Sequence, residues 1–323
     1  MPPPQPAPPS ERMTRPTLTL GILLLSLTSA ATSTSGRAQA ARMRVSDIDT
    51  IALHHPAQRI AYGTDSLQFG ELRMPEGRGP FPVAILIHGG CYFSKYATLR
   101  NTAALADALT SAGVATWNIE YRRYDNPGGG WPGTFSDAAN ATDYVRVLSK
   151  LHPLDLSRVI TMGHSAGGQL ALWLAARTPP SVTAVPGSSP LFRNSPLTVH
   201  GVVALGPITD MREFQTRETA TCGNTAIESV LGGLPASVPD RIALVSPMEL
   251  LPLRVPTILI AGDLDRIAPA ASLNAYATAA RLKGDRVQVF TSPGDGHFDV
   301  LAPFRASGHA ALTQAKALLG IPR

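Results

Sequence analysis

What this sequence has little of narrows its reading before any motif is considered. Its 323 residues hold two cysteines, too few for a disulfide scaffold or a cysteine-rich metal cluster. Charged residues are 16% and hydrophobic residues 44% of the chain, so a core of ample size can form without metal or cross-link. Lys and Arg gather into no long run or stripe, which argues against nucleic acid as a partner. Of the five net positive charges, two come from Arg12, Arg15 and Arg37 set against Glu11 near the N-terminus. No internal repeat is visible, so solenoid and propeller architectures are set aside.

The N-terminal stretch has its own pattern. Arg12 and Arg15 precede an apolar run from Leu18 to Leu27, and small residues lead on to Ala38-Gln39-Ala40. A positive region, a short hydrophobic region and an A-x-A site predict a secretory signal over residues 1–40. The apolar run is about half the length a membrane span needs, so no stable membrane anchor is expected. No cysteine stands near the cut, which argues against a lipid-modified N-terminus. A start at Met13 would give a more conventional leader than the proline-rich Met1–Ser10. The expected product is exported, periplasmic or extracellular, and begins near Ala41.

Beyond the leader, apolar runs alternate with helical patterns. Val83–Ile87, Val114–Ile119, Arg158–Met162, Gly201–Leu205, Pro256–Ala261 and Arg286–Phe290 read as strands, and Ser66–Met74 as hairpin strands. The unbroken apolar character of Val83–Ile87 is that of a strand covered on both faces. Leu99–Ala112, Phe135–Leu151, Ala166–Arg177, Ala270–Leu282 and Arg305–Leu319 read as helices. This alternation predicts a single α/β domain over residues 41–323, with a mainly parallel sheet of about eight strands and helices on both faces. Two stretches break the rhythm. Thr178–Thr198 is expected to be a surface loop, and Met211–Pro252 a small lid or wall with one or two short helices.

The strongest chemical signal is Gly163-His164-Ser165-Ala166-Gly167, a G-x-S-x-G between the strand ending at Met162 and the helix that follows. A sharp turn there holds the serine in a strained backbone conformation, and glycines two positions to either side let strand and helix approach. The hydroxyl then stands at a helix N-terminus, where amides and dipole favour developing negative charge. A second signal, His88-Gly89-Gly90-Cys91, ends the strand Val83–Ile87. Its glycines allow backbone amides to approach a carbonyl oxygen, so Gly90 or Cys91 together with Ala166 are the expected oxyanion donors.

With these residues the chain resembles the α/β-hydrolase superfamily, nearest its small esterases and arylformamidases, feruloyl-esterase-like or kynurenine-formamidase-like, that share an H-G-G-x-[aromatic] motif. Here that motif is His88-Gly89-Gly90-Cys91-Tyr92. The likeness continues in Glu120-Tyr121-Arg122, Trp131-Pro132-Gly133, Asp155 through Arg158, and Ser165-Ala166-Gly167-Gly168, and spans roughly residues 57–320. Tyr92 departs from the Trp common in arylformamidases, which weakens transfer of their substrate. The resemblance implies an α/β-hydrolase domain that needs no cofactor or metal.

A serine hydroxyl needs a general base, itself oriented by an acid, and in this fold the chain order is Ser, acid, His. Five of the eight histidines precede Ser165, His200 precedes a strand, and His309 lies in a helical pattern. His297, in the Gly-rich loop Pro293-Gly294-Asp295-Gly296-His297-Phe298, is the expected base. Two aspartates compete in Gly262-Asp263-Leu264-Asp265-Arg266-Ile267-Ala268-Pro269. The family pattern G-x-x-D-x-x-[small]-P selects Asp265, while Asp263 is suited to hydrogen-bonding loop amides. Asp295 and Asp299 are expected to be structural.

Cys91 and Cys222 should both lie near the active-site mouth, either as a disulfide or as two buried free thiols. Tyr92 and Trp131 are candidates to line the pocket, or simply to pack. The expected activity is hydrolysis of a small-molecule or polymer-attached carboxylic ester through an acyl-enzyme. An arylformamidase comes second, and a prolyl-oligopeptidase-like peptidase third, since its usual propeller is absent. A rival of another class is a non-catalytic binding protein on the same frame, which a fluorophosphonate probe would not label. Acyl and alcohol specificity and oligomeric state are not legible. N-terminal sequencing of the exported protein should begin near Ala41, and a mature chain starting well before that residue would refute the cleavage site.

Overall fold

Val83, Ile85 and Ile87 pack on one side of their strand, and Ala84 and Leu86 on the other. Successive side chains of a strand point to opposite faces, so an unbroken apolar run is what a strand requires when both faces are covered. The computed structural model describes residues 1–7, 9, 41–177, 191 and 195–322. Every element below belongs to the unit Ala40–Arg323. The expected leader region around Leu18–Leu27 and Ala38-Gln39-Ala40 lies outside the described residues.

The chain begins with a short helix α1 (Val45–Asp49) and the strands β1 (Gln58–Ala61) and β2 (Phe69–Arg73). There follow β3 (Phe81–Ile87), α2 (Arg100–Ser111), β4 (Ala115–Ile119), α3 (Gly133–Asp143), α4 (Val145–Leu148), β5 (Leu154–His164), α5 (Ala166–Ala175) and β6 (Gly201–Leu205). Four short helices come next, α6 (Met211–Gln215), α7 (Glu218–Cys222), α8 (Ala226–Leu231) and α9 (Pro239–Val245). The chain closes with β7 (Thr257–Gly262), α10 (Ala270–Leu282), β8 (Val287–Ser292), a 3-10 turn at Asp299–Leu301, and α11 (Ala306–Leu318).

The eight strands form one sheet in the order β1-β2-β4-β3-β5-β6-β7-β8. Only β2 runs against its neighbours; all other pairings are parallel. Ile87 pairs with Gly163, and His164 with Leu205. The carboxyl ends of β3, β5 and β6 are thus in register, and the loops that leave them meet at one edge, where open α/β sheets place their sites.

Each face has its own core. Leu105 and Leu109 of α2 and Ala311 and Ala315 of α11 meet Leu86, Met162 and Ile260 on one side. Phe135 of α3, Leu170 and Trp173 of α5, and Tyr276 of α10 meet Ile85, Trp117 and Leu259 on the other.

The helix expected over Phe135–Leu151 is two, α3 and α4, parted at Tyr144, and three further local differences from the sequence reading have physical causes. The hairpin stretch supplies only β2, and its partner β1 is an edge strand whose residues are mostly exposed, so it carries no apolar run. The wall Met211–Pro252 holds four helices rather than one or two. These have five to seven residues each, too few for periodicity to show, and they are set by local signals instead. Asp210 caps α6 by accepting from the amides of Arg212 and Glu213, Gly223 and Gly232 end α7 and α8 in the left-handed conformation, and Pro239 opens α9. Of the expected loop Thr178–Thr198, residues 178–190 and 192–194 lie outside the described residues, while Leu191 and Leu197 are buried in the core. No described helix is long and apolar enough to cross a membrane.

The two-faced packing predicts unequal leucines. Leu86→Ala should lower stability by about 2–5 kcal/mol, whereas Leu151→Ala, at a position 75% exposed, should stay within about 0.5 kcal/mol; urea unfolding of both variants checks this.

Candidate active site

Ser165 caps α5 with φ 55° and ψ −120°, a region a non-glycine residue occupies at a cost of about 1–3 kcal/mol. The surroundings hold it there. Its amide donates to the Leu205 carbonyl at 2.8 Å, and its own carbonyl accepts from the amides of Gly168 at 2.9 Å and Gln169 at 3.1 Å. The flanking glycines are required sterically. A Cβ on Gly163 would lie 2.0 Å from the Gly167 carbonyl oxygen, and one on Gly167 would lie 2.3 Å from that of Ile87. Strand β5, helix α5 and strand β3 therefore touch through bare backbone, and the serine side chain is left facing a cleft.

That cleft, of about 350 Å³, is lined by Ser165 together with Gly90, Cys91, His164 and His297. His297 stands in the loop after β8, and its Nδ1 lies 2.8 Å from Oδ2 of Asp265 in the loop after β7. The other Asp265 oxygen accepts from the amides of Ile267 and Ala268, both at 2.8 Å. Burial by itself would raise the Asp265 carboxyl. The facing His297 and these amides outweigh it and hold the group below its ordinary value. Asp263 is exposed and accepts from the Gly294 amide at 2.7 Å, tying the two loops together.

Asp295 and Asp299 are also structural. Asp295 accepts from the amide and hydroxyl of Ser307, and Asp299 from the Gly296 amide and Arg305. Sequence reading missed Gly206, at the end of β6. A Cβ there would lie 3.0 Å from both Asp265 Oδ2 and His297 Nδ1, so glycine makes room for the pair. A glycine directly after an apolar strand was the available signal.

His164 was also passed over, because it precedes Ser165 in the chain. Its Nε2 donates to the His297 carbonyl at 2.9 Å, and the two rings lie 4.5 Å apart. Burial above all, then the nearby His297, pushes its pKa down from 6.5 to about 3. It is therefore a neutral imidazole at ordinary pH, fixing the backbone that carries His297.

The loop after β3 turns through three consecutive left-handed residues, Gly90 (φ 100°), Cys91 (φ 50°) and Tyr92 (φ 55°). The amides of Gly90 and Cys91 meet no acceptor among the described residues, and the Ala166 amide is in the first turn of α5, where helical partners are lacking. Behind this loop lies a buried polar cluster. Glu120 accepts from His88 Nε2 at 2.9 Å, the Leu99 amide at 3.1 Å and the Tyr121 amide at 3.1 Å, and pairs with Arg123. Tyr121 donates to the His88 carbonyl at 2.8 Å and its ring stacks on His88. Burial by itself would raise the Glu120 carboxyl, but His88, Arg123 and the amide bring it down from 4.5 to about 2. A disulfide joins Cys91 to Cys222 at the end of α7, with Cα atoms 6.1 Å apart.

Both aromatic residues considered for the pocket are placed elsewhere. Tyr92 is fully buried and donates to Gln169 Oε1 at 2.8 Å, and Gln169 in turn donates to the Val245 carbonyl. Its left-handed backbone turns the ring inward, so it anchors the loop to α5. Trp131 packs on Phe135 beneath the Arg241 guanidinium, drawn off the cleft by the apolar face of α3. The lining comes instead from Tyr96, whose hydroxyl donates to the Cys222 carbonyl at 2.8 Å, and from Val45, Thr221, Phe298 and Leu301. Among the described residues no cluster of three His, Cys, Asp or Glu side chains could hold a metal ion.

The sheet order and these loops constitute an α/β-hydrolase fold, and comparison with known proteins agrees. The family model described as BD-FAE matches residues 71–278. A truncated form of a carbohydrate esterase from gut microbiota superimposes with a TM-score of 0.68 at 20% identity, covering 82% of this chain and 96% of that one. Esterase B from Lactobacillus Rhamnosis gives 0.66 at 20% identity, covering 83% and 86%. Thermogutta terrifontis esterase 2 phosphoramylated by tabun gives 0.63 at 18% identity, covering 83% and 95%. At these identities the likeness is one of fold. The comparison with curated proteins finds no match.

The buried Glu120 predicts an acid-sensitive element. A carboxyl whose folded pKa is depressed adds stability above its unfolded value, lost as pH falls through the folded one. The urea midpoint should therefore drop between about pH 4.5 and pH 2, and Glu120→Gln should lower the midpoint at pH 7 while flattening that drop.

Proposed function

This chain belongs to the BD-FAE family, and we propose on that premise that it is a serine carboxylesterase acting through an acyl-enzyme. The observation that carries the reading is the 2.8 Å bond from His297 to Asp265 beside a cleft that also holds Ser165 in a left-handed turn. In the proposed reaction His297 accepts the Ser165 proton as the hydroxyl attacks the ester carbonyl. Asp265 fixes the imidazole and stabilises its charged form. The amides of Gly90, Cys91 and Ala166 receive the oxyanion, in the low-dielectric setting where such donors act most strongly. His297 passes its proton to the departing alcohol, and water then releases the acyl group.

A small-molecule or polymer-attached ester suits a cleft bounded by short helices rather than by a large lid. The names of similar structures support this reading, among them the gut carbohydrate esterase and an acetyl ester-xyloside bifunctional hydrolase from Caldicellulosiruptor lactoaceticus. Export through the segment 1–40 is part of the same reading. It is supported by the pairing of the chain's only two cysteines, since disulfides persist in oxidising compartments.

Ser165→Ala should lower kcat/KM on a short-chain aryl ester by at least about a thousandfold, without loss of thermal stability, and should abolish labelling by a fluorophosphonate probe. Asp265→Asn should cost roughly 10²–10⁴-fold, and Asp263→Asn little. Full activity in the serine variant would overturn the mechanism, and a greater loss from Asp263→Asn would overturn the choice of acid.

A further inference from the structure

Beside the cleft lies a second lobe of different chemistry, and His297 borders both. The first lobe holds Ser165 and Gly90 and is walled by apolar side chains such as Val45 and Leu301. The second, of about 660 Å³ and wider to solvent, is bordered by Arg42, Arg44 and Arg266. The lobes share Val45, Ile267, His297 and Phe298, while Ser165 faces only the first.

The charges of the second lobe are not neutralised in place. Arg44 is engaged by Asp47 at 3.1 Å. Arg42 and Arg266 are exposed and make no ion pair or side-chain hydrogen bond among the described residues. Arg42 nonetheless has a defined seat, because its Cδ would lie 3.2 Å from a Cβ on Gly296, next to His297. No carboxylate of these loops pairs with either arginine among the described residues: Asp265 holds His297, Asp263 accepts from the Gly294 amide, Asp295 from Ser307, and Asp299 from the Gly296 amide and Arg305. Two exposed guanidinium groups therefore border the lobe that His297 shares with the cleft and that Ser165 does not line.

Resting on the esterase reading of this site, we propose that the second lobe receives the alcohol part of the ester and that this part carries a negative charge. The order of events in acyl transfer sets the geometry. The bond between acyl carbon and alcohol oxygen breaks as that oxygen takes the proton held by His297, and water supplies the hydroxyl that completes the acid. The acyl carbon sits at Ser165 and the Gly90 loop and the alcohol oxygen at His297, whose ring borders both lobes; in the proposed complex the rest of the alcohol lies on the arginine-bordered side. The chemistry there selects an anion such as the carboxylate of an acidic sugar or a sugar phosphate.

The test compares mono-acetylated methyl glucoside with the acetylated methyl glucuronoside and the acetylated methyl glucoside 6-phosphate. Exposed ion pairs are individually modest, so at low salt one or both anionic esters should exceed the neutral one by about tenfold in kcat/KM. At about 1 M salt, where screening acts within about 3 Å, that preference should largely vanish. The double variant Arg42→Gln/Arg266→Gln should bring the ratio near one. Arg78→Gln/Arg286→Gln removes the same net charge from segments that lead into β3 and β8, at the opposite edge of the sheet, and should keep the preference. Equal rates on neutral and anionic esters, or a preference that survives the first double variant, would overturn the proposal and leave the esterase reading standing. No hydrolysis of any acetyl ester, with no fluorophosphonate labelling, would overturn both.

Discussion

Three stretches of backbone meet around Ser165 with no side chain between them. The Gly167 position lies against the carbonyl of Ile87, and the Gly163 position against that of Gly167. Because β5, α5 and the end of β3 are in contact there, the loop of Gly90 and the turn of Ser165 are set relative to each other by main chain rather than by flexible side chains. In the proposed reaction, amides held this way need no rearrangement when charge develops. The strain at Ser165 persists because the Leu205 carbonyl and the first turn of α5 both hold it.

Two carboxylates, each paired with an imidazole, do different work in this frame. Glu120 and His88 are fully buried with Arg123 behind the loop, and no face of the cluster reaches the cleft. Their cluster fixes the loop's shape from within. Asp265 and His297 form the same kind of pair at the cleft wall, with Gly206 providing the space and neutral His164 holding the backbone. A buried imidazole with its pKa near 3 adds a hydrogen bond beside His297 without adding a competing charge.

The sequence disclosed most where a physical requirement has a simple pattern. Strands covered on both faces favour apolar runs, so β3, β4, β6, β7 and β8 could be read to within two residues at their ends, while β5, read as Arg158–Met162, runs from Leu154 to His164. The loops at their carboxyl ends stood out through glycine. What escaped notice offered a weak pattern or none. Edge strand β1 buries almost nothing, and α1 and the wall helices are shorter than two turns. In the site, a motif names an aromatic position but not the direction of its ring, and the backbone sign at Tyr92 turned that side chain away from the cleft. Gly206 and His164 act on the Asp265–His297 pair through space, from strands distant in the chain, and only the fold brings them together. Val45 reaches the cleft from a segment ahead of the sheet, which no local signal announces.

The bond between Cys91 and Cys222 spans 131 residues of chain, and the enclosed segment contains β4, β5, the Ser165 turn and β6. A ring of that size lowers the entropy of the unfolded chain by the equivalent of about 5 kcal/mol at room temperature. Its local effect is of another kind. One half of the cystine lies in the loop after β3 and the other ends a helix of the opposite wall, so the width of the mouth is set by a covalent strut. Opening that one bond would free the two walls of the mouth from each other, so its rigidity rests on a single covalent contact.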